Sequence, residues 1–332
     1  MLNQRLKSEK DMSKRRKFYR ETISHIYQRT VGCVNLFYCI DDFLVFYTIF
    51  SVCSRRAKVI VLELCLMFDH FHALIKTENI RKLSILIKDI TSWYAKEYNN
   101  RLGRKGRLFQ KNFGSAPKVD QKSIISAINY VGNNPVEKRL CQKAEEYRWG
   151  FLAFLKSEHP FSEKIVHKNA SVHLRAALKE VKMMAEMNQP LKYAQLRRMM
   201  RRMNTNEINQ LIDFIIITYW PFDVNELLSY YESFEVMSVA MSSNTGKDFD
   251  INEKHDRLSH TAFEEMIAYL EKKMKREKVT EVIMMSNEEK CKLADELMRN
   301  TSATPQHIRK FLQFVYPSNR FTDKLDNKEL GR

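Results

Sequence analysis

Two strand-length apolar runs, "KVIVLELCLMF" (58–68) and "HFHALIK" (70–76), are separated by the single residue Asp69. Both are dense in β-branched and bulky side chains, which pack well on a pleated surface. A connection this short suits antiparallel neighbours, because a parallel partner needs a crossover of a dozen residues or more. The second run places His70 and His72 on either side of Phe71. Residues i and i+2 of a strand share a face, so the two imidazoles are neighbours and the phenyl ring points the other way. Histidine is the commonest transition-metal ligand, but two hydrogen-bonded histidines on a strand would look the same. At this level both readings stand.

Elements on either side extend the pattern. "HIYQRTV" (25–31) and "VNLFYCI" (34–40) are predicted strands. Asp41 and Asp42 supply an N-cap and first-turn negative charge for an apolar-faced helix over 42–57. A helix is predicted over 79–100, where Leu83, Ile87 and Ile90 have helical spacing. The basic turn "RLGRKGRLFQKNF" (101–113) leads towards another strand, and a helix follows over 120–135, which Pro135 should end. Strands interspersed with helices on short connections define an α+β class: an antiparallel sheet with helices packed on it.

Beyond Trp149 the chain changes character, and residues 165–315 are predicted to be almost wholly helical. Helices over 204–220 and 223–241 are separated by Pro221, and 242–258 is a polar linker. Ser286 with Glu289 forms a capping box, and Thr304 followed by Pro305 starts another helix. These two short helices, with Leu293, Leu297, Ile308, Phe311 and Leu312 as core, match a helix-turn-helix or a plain two-helix packing module. The expected organisation is a basic arm (1–22), an α+β domain (23–150), a helical domain (151–285), the helix pair (286–316) and a tail (317–332).

Charge narrows the partner. The net charge is +16, and residues 1–150 hold 28 Lys/Arg against 14 Asp/Glu, so most of the excess lies in the N-terminal half. So lopsided a balance suits a polyanion, most often nucleic acid, with a solvated basic surface as the alternative. The longest near-continuous apolar run, Phe43–Val52, is far below the roughly 20 residues that span a bilayer. The charged N-terminus is not a secretory signal, and six cysteines without a C-x-x-C pair suit idle thiols in a reducing cytoplasm. Candidate DNA contacts are Lys14, Arg15, Arg16, Lys17 and Arg20 of the arm, and Arg101, Arg104, Lys105, Arg107 and Lys111 of the turn. Phe109 and Phe113 interleave with the latter as core residues or stacking rings. "LRRMMRRM" (196–203) is read as a solvated helix whose methionines face the core, and Gln306, Arg309, Lys310 and Gln313 could face a major groove.

In "INYVGNNP" Tyr130 and Asn134 stand four residues apart, so both project from one helical face, with Gly132 between them. Glycine there softens a helix by about 1 kcal/mol relative to alanine. Together, "MFDHFHALI" and "YVGNNPV" resemble the histidine–hydrophobe–histidine (HUH) strand and the tyrosine helix of REP-associated tyrosine transposases, a branch of the single-tyrosine transposases of small insertion sequences. "WYAKEYNNRLGRKGRLFQKNF" (93–113) and "EEYRWG" (145–150) are similar to segments of the same domain, and the resemblance covers about residues 23–150. Asp69 departs from it, standing where the family usually has Asn.

The resemblance implies a ferredoxin-like HUH nuclease domain. It implies a divalent metal, Mg or Mn, held by His70 and His72 with Asn134 as third ligand, and Tyr130 as nucleophile. It also implies cleavage and rejoining of single-stranded or hairpin DNA through a 5′-phosphotyrosine, with a homodimer possible; the short apolar runs, for their part, lead us to expect no membrane partner. A host-retained enzyme that processes repeats, or an inactive DNA-binding regulator, would carry many of the same features.

Overall fold

The hairpin expected around Asp69 forms one side of a four-stranded antiparallel sheet in a computed structural model that describes residues 22–242 and 258–314. Strands β1 (Ile23–Arg29), β2 (Ile60–Leu66), β3 (His70–Lys76) and β4 (Gly114–Lys118) take the order β2-β3-β1-β4. Pro117, which has no N–H to give a ladder, falls in the edge strand. Tyr27 and Cys65 both pair with His72, and Arg29 pairs with His70, so all of these residues face one side of the sheet. A register shift between Val61 and Glu63 places Glu63 opposite Leu74, on that same face.

The other face is covered by α1 (Ile40–Ala57) and α2 (Ile80–Leu102). Phe71 points into this layer, its ring 4.9 Å from that of Phe46. Helix α1 starts at Ile40 with Cys39 as N-cap, and Asp42 reaches back to accept the N–H groups of Tyr38 and Cys39. The strand expected over 34–40 is absent. Leu36 and Phe37 instead donate to the carbonyl of Phe68, and Asn35 to that of Lys310, so this segment finds its backbone partners outside a ladder.

Helix α3 (Gln121–Glu137) covers the histidine face, capped by Asp120, whose carboxylate accepts from the N–H of Ser123. Pro135 does not end it. The ring sits in the last turn and forfeits one intrahelical bond, and the helix runs on to Glu137.

All described elements beyond α3 are helical: α4 (Val172–Glu186), α5 (Tyr193–Met200), α6 (Thr205–Thr218), α7 (Val224–Leu228), α8 (Phe234–Ser242), α9 (Thr261–Glu271), α10 (Asn287–Asn300) and α11 (Pro305–Leu312), with short 3-10 turns between. The single helix expected over 223–241 is broken into α7 and α8. At the break, Tyr231 anchors to α3 by donating to Oδ1 of Asn129 at 2.8 Å. The capping box at Ser286 and the cap of Pro305 by Thr304 are present as expected. These helices pack directly on the sheet layers: Tyr47 donates to the carbonyl of Ile216, and Tyr38 to that of Phe311. Buried apolar residues from Ile23 to Phe314 form one connected core. Among the described residues no helix is long and apolar enough to cross a membrane. The cations of the arm (Lys14, Arg15, Arg16, Lys17, Arg20), the tail and all but the ends of the polar linker lie outside the described residues.

Candidate active site

Strand alternation brings His70 and His72 to one face of β3, and α3 lays Tyr130 and Asn134 across that same face. The rings of His70 and His72 are perpendicular, with centroids 4.8 Å apart. The phenol ring of Tyr130 stands edge-on to His72 at 5.4 Å, and the amide nitrogen of Asn134 lies 3.4 Å from Nε2 of His72. The four residues that the sequence grouped by motif therefore converge. All are buried beneath the covering helices, from 0 % exposure for His72 to 4 % for Tyr130. Helix α8 is part of that cover. A Cβ at Gly132 would lie 2.6 Å from Sδ of Met241, so glycine is the residue that admits α8 to α3 at this point.

His25, on β1, belongs to the cluster and was not singled out in the sequence. Its Nε2 lies 3.0 Å from Nδ1 of His72, and its ring is 5.5 Å from Tyr130. One of the two histidine nitrogens must donate and the other accept. If His72 donates from Nδ1, its Nε2 lone pair points at Asn134. Tyr27, the other neighbour of His72 on β1, lies across β4 at Gly114, where a Cβ would fall 1.8 Å from its ring. The alternation of His25 and Tyr27 within "HIYQRTV" was the available signal, but only strand pairing shows which neighbour they meet.

Asp69 holds the other histidine. Its Oδ1 accepts from Nδ1 of His70 at 2.5 Å, and its Oδ2 accepts from Nζ of Lys310 at 2.9 Å. Burial alone would raise the Asp69 carboxyl, but His70, His260 and Lys310 overcome it and hold the group well below the usual carboxylate range. His260, 3.8 Å from Asp69, is pushed down to about 3, chiefly by burial and despite the carboxylate, so it is neutral at physiological pH. Glu63 lies on the same sheet face with neither oxygen hydrogen-bonded, and burial pushes its carboxyl well above the usual range.

The donor set fits a divalent cation. With Nδ1 bound to Asp69, His70 keeps Nε2 as its lone-pair nitrogen, which is how a carboxylate commonly orients a metal-binding imidazole. Oδ1 of Asn134 is buried without a hydrogen-bond partner, and half a turn of the amide exchanges its nitrogen and oxygen without changing its shape. An oxygen donor can thus be presented beside Nε2 of His72. Among the described residues no group of three His, Cys, Asp or Glu side chains could hold a metal.

Two of the expected DNA contacts give way to burial. The side chain of Arg101 is 3 % exposed and its guanidinium is paired with Asp42 at 2.7 Å, while Lys310 is committed to Asp69. Neither presents a free cation to phosphate. Lys105, Arg107 and Lys111 are exposed, and Arg104 bonds to Asn99. This turn lies at the His70 end of the sheet, because Gln110 donates to the carbonyl of Arg29, the residue paired with His70. Phe109 is buried 6.2 Å from Tyr94, as a core residue. In 196–203 Leu196, Met199, Met200 and Met203 are buried and Arg198, Arg201 and Arg202 exposed. Arg309 and Gln306 are exposed on α11, whereas Gln313 donates to the carbonyl of Asn35.

The described residues form an antiparallel α+β sheet layer in which α3 sets Tyr130 against the strand pair His70 and His72. Residues 41–134 match the family model described as "Transposase IS200 like". The matched stretch encloses His70, His72, Tyr130 and Asn134. A solved structure of a REP-associated tyrosine transposase bound to a REP hairpin is 11 % identical, covers 48 % of this chain and 96 % of its own, and has a TM-score of 0.38. No curated protein matches the chain.

Proposed function

We propose that the protein cleaves and rejoins single-stranded DNA, at hairpin-flanked ends, through a covalent 5′-phosphotyrosine on Tyr130. The observation that carries this reading is the juxtaposition of the Tyr130 ring and the Asn134 amide with His72, on one face of the sheet. A divalent cation, Mg or Mn, would be held by His70, His72 and Oδ1 of Asn134, and when bound it would offset negative charge growing on the phosphoryl oxygens. Tyr130 supplies the nucleophile. Its phenolic oxygen bonds to phosphorus as the bond to the 3′ oxygen breaks; the phenol gives up a proton and the 3′ oxygen gains one. A phenolate, from a group with an ordinary pKa near ~10, is also a fair leaving group. A free 3′-hydroxyl can therefore reverse the step and join strands without a nucleotide cofactor. His25 and Asp69 hold the two histidines in place, and Lys105, Arg107 and Lys111 offer phosphate contacts at the His70 end.

The test is incubation of the protein with single-stranded hairpin DNA and Mn²⁺, followed by denaturing electrophoresis. A protein–DNA adduct that is absent in Tyr130→Phe supports the reading. Binding without an adduct, from wild type and variant alike, would leave a DNA-binding regulator.

A further inference from the structure

Lys310, the buried partner of Asp69, has no role in the chemistry above, yet it ties α11 to the hairpin that carries His70. Lys310 is on α11, 241 residues beyond Asp69, and the side chains are 4 % and 3 % exposed. The carboxylate is gripped from both sides, with Nζ of Lys310 at 2.9 Å from Oδ2 and Nδ1 of His70 at 2.5 Å from Oδ1. Helix α11 is fixed where this contact requires it. Asn35 donates to the carbonyl of Lys310 at 3.1 Å, Gln313 returns a bond to the carbonyl of Asn35, and Tyr38 donates to Phe311.

An amide at position 69 would need no counter-charge. A carboxylate in the same buried place does, because removing one partner of a buried pair leaves an uncompensated charge. A charged residue at 69 and a cation delivered from the far end of the chain thus form a matched set.

We propose that Lys310 is a positioning residue: through Asp69 it fixes the plane and tautomer of His70, so that the C-terminal helices form part of the cation site rather than an appendage to it. The inference rests on the reading of His70 as a cation donor. The physical route is the carboxylate. Held by Lys310, Asp69 keeps the proton of His70 on Nδ1 and leaves Nε2 as the lone-pair nitrogen.

The experiment uses the full chain without DNA and compares wild type, Lys310→Met and the neutral double variant Asp69→Asn/Lys310→Met. Mn²⁺ affinity is read by titration calorimetry, and the His70 tautomer by long-range ¹⁵N–¹H NMR in the absence of cation. Lys310→Met is expected to weaken Mn²⁺ binding by about 10- to 100-fold and to move His70 away from the Nδ1–H form. The double variant should recover both, since an amide oxygen at 69 also accepts from Nδ1. If Lys310→Met loses thermal stability while Mn²⁺ affinity and tautomer stay at wild-type values, the pair is only structural and the proposal is overturned. Should that variant be too unstable to purify, Lys310→Gln removes the charge but keeps a donor, and is judged by the same two readouts. If the wild type binds no Mn²⁺, the cation reading fails on its own, and the NMR readout still upholds or overturns the role of Lys310.

Discussion

The side-chain amide of Asn134, on α3, lies 3.4 Å from Nε2 of His72, on β3, and its Oδ1 is buried with no hydrogen-bond partner. A buried polar atom left unpaired costs about 1–3 kcal/mol, so an unpaired acceptor beside an imidazole marks a place where a ligand would be stabilising.

Asn134→Asp tests that relationship. Without cation, a carboxylate in a site of 2 % exposure should lower the melting temperature. With saturating Mn²⁺, the same carboxylate is a stronger donor, so the variant should gain more in melting temperature than the wild type does. Thermal melts with and without Mn²⁺ check it; equal shifts in the two proteins would remove Asn134 from the donor set.

Gly132→Ala should destabilise the fold, although alanine favours helix by about 1 kcal/mol. The new Cβ would meet Sδ of Met241 at 2.6 Å, and overpacking of this kind costs about 1–3 kcal/mol. Met241→Ala in the same chain should remove most of the penalty, as a double-mutant cycle by urea denaturation would show. If the penalty stays when Met241 is shortened, contact with α8 is not what requires glycine.

Glu63 gives a pH dependence of known sign. Burial raises its carboxyl well above the ordinary value, so the folded chain keeps the proton at pH values where the unfolded chain has lost it. Below about pH 4.3 both states are protonated and the group has no effect on stability. Above that, its contribution to stability falls by up to about 1.4 kcal/mol per pH unit until the folded-state value is reached. Glu63→Gln should therefore be more stable than wild type at pH 7.5 and nearly equal to it at pH 4. Denaturation at the two pH values decides the matter.

Exposed and buried cations should separate by experiment. Replacing Lys105, Arg107 and Lys111 with alanine should leave the melting temperature nearly unchanged and lower the log–log salt slope of single-strand binding by about 2, at about 0.7 per phosphate contact. Arg101→Ala should do the reverse. Its guanidinium neutralises the buried Asp42, so its loss should cost about 3–5 kcal/mol of stability, with no change in slope for whatever protein still folds. A reduced slope in Arg101→Ala, measured on folded protein, would contradict its placement.

Local chemistry made much of this molecule legible. Strand β3 was read at its observed bounds, because alternation and β-branched content act over neighbouring residues. The caps at Ser286 and Thr304 were visible for the same reason: a side chain and an N–H three residues away are fixed by local geometry. His70, His72, Tyr130 and Asn134 were found by spacing within each element and by resemblance. Segment 34–40 was misread because its β-rich composition is also what a buried connector needs, and only Phe68 and Lys310 show where its N–H groups go. Pro135 was misread as a terminator because a lone missing N–H in a last turn is cheap enough to tolerate.

The sequence alone thus determined the hairpin strands on either side of Asp69, most helices, the basic balance of the N-terminal half and the two motifs that make up the candidate site. Only the tertiary structure decided that His25 meets His72, that Arg101 and Lys310 are buried partners of carboxylates rather than surface cations, and that the far C-terminal helix reaches Asp69. The physical reason is range. Periodicity and capping are set within a few residues of chain, whereas the partner of a buried charge is set by which distant elements pack together, and a lysine reads the same in sequence whether its ammonium ends in water or against a carboxylate.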